Sequence, residues 1–361
     1  MKDKVTVLNM NQYVKPSLVV WRWSVAFLVV AVVVLTGCAA PERPKKEAVD
    51  LVWPAPPEQP RIRFLASYEG QSDFAETEDL RAQLFGVNQQ GIRLGKPFGV
   101  AVNDAGTRIF VTDTKLRGVV IFDLQAQRVF MMPTDAMGPL RSPVDVKLDS
   151  QGRVYVSDGY GGSVNIYNSR GKTLLSLGKA EGIKRPTGLA LDEPRNRLYV
   201  SDTPNHRVVI YDLQGNQVGV IGQRGTDPGR FNFPVSLSVD AEGQLYVVDT
   251  GNFRLQIFSP EGEFINEFGQ IGDGFGSFAR PKGVAADSEG HIYVLDAAFN
   301  NFQVFEQDGQ LLLFVGTLGR EQGKFWLPTG IFIDKNDKIY VVDSANQRVQ
   351  VFQYLRDEPK S

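Results

Sequence analysis

One four-residue phrase, an aromatic side chain followed by Val, any residue and Asp, occurs six times in this chain. The copies are Phe110–Asp113, Tyr155–Asp158, Tyr199–Asp202, Tyr246–Asp249, Tyr293–Asp296 and Tyr340–Asp343, and their aspartates stand 45, 44, 47, 47 and 47 residues apart. Such a period means that each copy is one supersecondary unit, unable to bury its faces except against its neighbours. Upstream of each phrase a proline opens a short apolar stretch, at Pro97, Pro143, Pro186, Pro234, Pro281 and Pro328. Downstream comes a further apolar stretch such as Arg207–Tyr211 or Arg348–Phe352, then a glycine-containing turn and another stretch such as Glu263–Phe268. A glycine-rich link then leads to the next proline, as in Gly272–Pro281. The apolar residues alternate by two and are rich in β-branched and aromatic types, which is the signature of strands and not of a helical solenoid. Four short strands per repeat describe a propeller blade, and six repeats predict an all-β, six-bladed β-propeller.

Over about residues 61–355 the six copies resemble NHL repeats, and the resemblance implies the six-bladed propeller that such repeats form. The sixth copy ends after its third strand, at Val349–Leu355, while Arg61–Tyr68 precedes the first copy as a spare strand. Antiparallel pairing of residues 62–68 with 348–355 is therefore predicted to close the last blade and cover its edge. Residues 72–86 lie outside the repeats. Asp73 with Glu76 reads as a capping pair, Gly86 as a stop, and Leu80 and Leu84 share a face, so a short helix is expected there. Residues 356–361 are read as a tail.

The N-terminus reads as an address. Lys2, Lys4, Lys15 and Arg22 precede the apolar run Trp23–Leu35, which ends in Leu35-Thr36-Gly37-Cys38. This resembles the bacterial lipobox, which implies cleavage after residue 37 and lipidation of Cys38, the sole cysteine. The segment 38–60 carries six prolines and is expected to be an extended tether that makes no ladder. Ala39 rather than Asp after the cysteine favours the outer membrane, with the propeller facing the periplasm. Formal charge is −2, and since residues 1–37 carry +3, the remainder is near −5. That balance argues against nucleic acid as a partner.

The aspartate of each copy, Asp113, Asp158, Asp202, Asp249, Asp296 and Asp343, recurs blade by blade and is read as fixing a turn. Three of them are followed five residues later by Arg207, Arg254 and Arg348, which are expected to bridge back to the carboxylate. Departures from the repeat are the binding candidates. In the stretch after each proline one face is small, yet the second copy has Asp145 and Lys147 and the sixth has Phe332, which predicts that these line a central channel. In the turns after the aspartates, Arg117, Tyr160, Phe253 and Phe299 are expected to share one rim. Propeller enzymes that resemble this chain, the α-amidating lyase and the streptogramin lyase, rely on histidine. This chain has only His206 and His291. His206 falls in a common spelling of the repeat turn, and His291 opens a strand with no second histidine in its copy. A zinc site usually needs three protein ligands or more. The expectation is a monomeric, membrane-anchored scaffold that binds a protein or peptide of the cell envelope, without metal or cofactor. A lyase or hydrolase using the channel is the alternative.

Overall fold

A computed structural model describes residues 50–74, 91–135, 138–178 and 182–356. The expected export segment 1–37, Cys38 and the greater part of the expected helix, with Glu76, Leu80, Leu84 and Gly86, lie outside the described residues, as do 357–361. Among the described residues no helix is long and apolar enough to cross a membrane.

Six antiparallel sheets make the six blades. Within each blade the innermost strand starts at the proline: Pro97–Val102, Pro143–Leu148, Pro186–Asp192, Pro234–Val239, Pro281–Ala286 and Pro328–Ile333. The second strand holds the aromatic-Val-x-Asp phrase, as in Arg108–Asp113, and the third follows it, as in Gly118–Asp123. Both are buried almost throughout, because each blade is sandwiched between two neighbours and neither face meets water. The outer strands, such as Thr173–Leu177 and Gln217–Ile221, are largely exposed.

The last blade takes its outer strand from the start of the chain. Ile62–Tyr68 pairs antiparallel with Arg348–Tyr354, from Ile62 opposite Tyr354 to Tyr68 opposite Val349. The ring is thereby closed as the sequence predicts. Val52–Trp53 adds two residues beyond it, Val52 opposite Arg63 and Trp53 opposite Ile62. This corrects the expectation that segment 38–60 makes no ladder. Val52 and Trp53 precede the prolines at 54, 56, 57 and 60, and the Trp53 ring packs edge-on against Phe352 at 5.7 Å. Gln71–Phe74 forms a short 3-10 turn, and its Asp73 carboxylate accepts the Glu69 and Gly70 N–H groups upstream of it.

The inner strands are drawn together around the axis. Glycines permit this: a Cβ on Gly330 would stand 2.5 Å from the Phe98 carbonyl oxygen, and one on Gly99 would stand 2.6 Å from that of Val144. Hydroxyl groups then fasten blade to blade. Thr112 donates to Val144 O, Ser157 to Thr187 O, Thr203 to Pro234 O and Thr250 to Pro281 O. Thr329 donates to Phe98 O at 2.8 Å, joining blade six to blade one.

Candidate functional site

Antiparallel pairing sends all the prolines, the turns after the aspartates and the glycine-rich links to one face of the disc, called here the link face. In every blade the aspartate is buried and ties that face together. Asp113 accepts N–H groups from Gly95 and Lys96 of the link and from Lys115 and Leu116 of its own turn. Asp296 does the same with Ala279, Arg280, Ala298 and Phe299, and Asp158 with Arg141, Ser142 and Gly161. Asp202, Asp249 and Asp343 spend one oxygen on side chains of their own turns. Asn205, Asn252 and Asn346 donate to them at 2.6–2.8 Å, and Arg207, Arg254 and Arg348 pair with them at 2.7–3.1 Å.

Arg254 and Arg348 reach further. Their second guanidinium nitrogens donate to two carbonyls of the preceding link, Asp227 and Arg230 in one case and Glu321 and Lys324 in the other. Gln256, Gln303 and Gln350 complete the hold, each accepting from a link glycine N–H and donating to a link carbonyl. The links before blades four, five and six are thus rigid loops. Each buries one aromatic ring, Phe231, Phe278 or Phe325. Each also exposes others: Phe233, Ile271 (69% exposed), Phe275 (78%), Leu318 (63%), Trp326 and Leu327. The sequence reading missed these. A signal for them exists in the shared spelling Gly-x-x-Gly-x-x-x-Gly-x-Phe of the three links.

Of the rim candidates, Tyr160 is 67% exposed, with Arg185 4.8 Å above its ring. Arg117 is exposed and donates from Nε to Leu140 O. Phe253 occupies the left-handed position of its turn (φ 57°) and packs partly against the core between blades four and five. Phe299 is half-buried in the next blade's turn. All four turns lie on the link face.

Asp145 and Lys147 face the axis and pair at 3.1 Å, and Asp145 also accepts the Val146 and Leu189 N–H groups. Lys147 lines two cavities along the channel. One, of about 30 Å³, opens toward the link face and is also lined by Phe98, Lys282 and Thr329. The other, of about 180 Å³, opens to the opposite face beside Asp104, Ser238 and Phe332. Lys282 was absent from the sequence reading. Burial, with Arg280 nearby, holds its ammonium below the usual lysine range.

The two histidines occupy opposite faces. His206 sits on the link face, its Nδ1 accepting the Phe233 N–H at 3.2 Å, whereas His291 lies at the far end beside Asp287. Among the described residues no three His, Cys, Asp or Glu side chains gather as a metal site.

Comparison with known proteins agrees with this architecture. The profile of the SMP-30/gluconolactonase/LRE-like region matches residues 71–270. The chain belongs to this family. Its last two blades also match the NHL repeat, over residues 278–306 and 325–352. Among solved structures, this family member is similar to a protein of unknown function from Bacteroides thetaiotaomicron, at 17% identity and a TM-score of 0.59, covering 81% of this chain and 75% of that one. Virginiamycin B lyase from Staphylococcus aureus is 12% identical with a TM-score of 0.53, covering 72% and 95%. An auxiliary nutrient binding protein from Bacteroides thetaiotaomicron is 12% identical with a TM-score of 0.55, covering 73% and 70%. At these identities the likeness is one of fold.

Proposed function

We propose that this chain is a lipid-anchored protein of the cell envelope, facing the periplasm, whose propeller recognises a protein or peptide partner through its link face. One observation carries the reading: three successive links are locked by Arg254, Arg348 and the glutamines, and still hold Phe233, Ile271, Phe275, Leu318, Trp326 and Leu327 out to solvent. Apolar groups preorganised on a rigid rim lose little entropy on contact and make effective anchors. The placement of Cys38 at the end of an apolar run supports the anchor. The test is cross-linking of the anchored protein in its native envelope, wild type against an Ile271→Ser/Phe275→Ser/Leu318→Ser variant. The partner band should disappear in the variant while its melting temperature stays within a few degrees. An unchanged pattern of cross-links rules the reading out.

Membership of a family that includes gluconolactonase favours a second reading, a hydrolase or lyase working in the channel around Asp145 and Lys147. Lactone hydrolysis by the purified protein, abolished in an Asp145→Ala/Lys147→Ala variant, together with stoichiometric bound metal, would place it first.

A further inference from the structure

The residues flanking the six inner-strand prolines form the rim of the channel mouth. They read Gly95-Lys96-Pro97-Phe98, Arg141-Ser142-Pro143-Val144, Lys184-Arg185-Pro186-Thr187, Asn232-Phe233-Pro234-Val235, Ala279-Arg280-Pro281-Lys282 and Trp326-Leu327-Pro328-Thr329. Six of these are cations: Lys96, Arg141, Lys184, Arg185, Arg280 and Lys282. None is an acid. None of the six makes an ion pair with a described residue.

The neighbouring carboxylates do not neutralise them by contact. Asp113, Asp158 and Asp296 are buried and taken up by backbone N–H groups, and Asp145 is paired with Lys147. Lys282 is the innermost cation. It lines the small cavity at the channel mouth, where there is room for one small group and not for a whole molecule. Between the cations stand Phe98, Tyr160, Phe233, Trp326 and Leu327.

The cations stand on four of the six blades, two each on the third and fifth, with apolar groups between them and on the fourth and sixth. They do not converge as the donors of a phosphate clamp do. We propose that the channel mouth binds an acidic peptide segment, one carboxylate seated against Lys282 and further carboxylates on the surrounding cations, with apolar side chains lying between on Phe98, Phe233 and Trp326. The proposal rests on the partner-binding reading of the link face and names the chemistry of the partner. It also accommodates a mildly acidic overall charge, because the positive potential is confined to the axis.

The test uses the purified full chain and three labelled peptides that alternate phenylalanine with glutamate, glutamine or lysine, followed by fluorescence anisotropy. The glutamate peptide should bind, with affinity falling about tenfold when salt is raised from about 50 to about 300 mM. It should also weaken about tenfold in Lys282→Met. A surface variant, Lys96→Gln/Lys184→Gln, should weaken binding by a smaller factor and guards against a folding defect at the half-buried site. Equal binding of the glutamine peptide, undiminished binding by Lys282→Met, or displacement by inorganic phosphate or an oligonucleotide at lower concentration than by unlabelled glutamate peptide would each overturn the proposal. If the glutamate peptide fails while Ile271→Ser/Phe275→Ser/Leu318→Ser still loses its envelope partner, the acidic chemistry falls and the link-face reading stands.

Discussion

Phe64 stands directly opposite Phe352 in the ladder that joins the start of the propeller to its end, their rings edge to face at 5.6 Å. Phe352 also touches Trp53, Phe302 and Phe325, so residues from both ends of the propeller and from the fifth and sixth blades share one aromatic cluster. Closure of the ring is thus a packing event as well as a hydrogen-bonded one. Phe352→Ala should cost about 3–5 kcal/mol, the usual range for emptying a buried aromatic site. Half-buried Phe64→Ala should cost less. Chemical denaturation of both variants measures the order.

Removal of residues 50–68 leaves Arg348–Tyr354 as a bare edge with its ladder groups unpaired. Such edges recruit other chains. Light scattering of the truncated protein should show self-association at concentrations where the whole chain stays monomeric. A monomeric, equally heat-stable truncation would contradict the account of closure.

Arg348 and Arg207 occupy the same place in the repeat yet should differ in weight. Arg348 is buried and pairs with Asp343, and it also serves the Glu321 and Lys324 carbonyls. Arg207 is a quarter exposed, pairs with Asp202 and makes no such link contacts among the described residues. Arg348→Met leaves an uncompensated buried carboxylate and should cost about 3–5 kcal/mol. Arg207→Met strips the equally buried Asp202 of a more exposed partner and frees no link carbonyl, so it should cost less, by about 1 kcal/mol or more. Thermal melts of the two proteins decide the matter.

In the channel, Lys147→Met strips Asp145 of its partner, while Asp145→Asn replaces the carboxylate that receives Val146 and Leu189 by a neutral amide and leaves Lys147 unpaired. Each single change should destabilise, and the double change should cost less than the two together by about 0.5–3 kcal/mol, since the lone buried charge is then gone. Strict additivity would mean that the ion pair carries no coupling.

His291 gives a pH signature. Its hydrogen bond to Asp287 raises the imidazole's pKa despite burial, with Asp287, Glu306 and Glu289 adding attraction. A raised folded value means that the stabilisation is fully present below the unfolded value of about 6.5 and is lost as pH rises through the folded one. The melting temperature of wild type over His291→Gln should therefore be highest near pH 5.5 and shrink as pH climbs. A difference that grows with pH would reverse the assignment.

The blades were legible because their information is local and sixfold redundant: each aromatic-Val-x-Asp phrase announces a strand, a turn and a buried carboxylate. The hydroxyls of Tyr155, Tyr246, Tyr293 and Tyr340 show why the aromatic is so often tyrosine. They reach Asp149, Asp240, Asp287 and Asp334, which close the turn into the same strand. The departure at Asp145 and Lys147 was visible as a break in a small-residue face. The exposed link residues were not, because Phe231 and Phe275 look alike in a linear chain while one is buried and the other bare.

By itself the sequence determined that six like units exist, where each begins and which spare strand could complete the last, since repetition and alternation act over a few residues at a time. Only the tertiary structure brought the proline ends of the inner strands, and with them Lys96, Arg141, Lys184, Arg185 and Arg280, to one face, with Lys282 at the channel opening. They fall on four of the six repeats, each within two residues of an inner-strand proline, and those prolines stand more than forty residues apart in the chain. They meet because the proline ends of the inner strands converge on one axis.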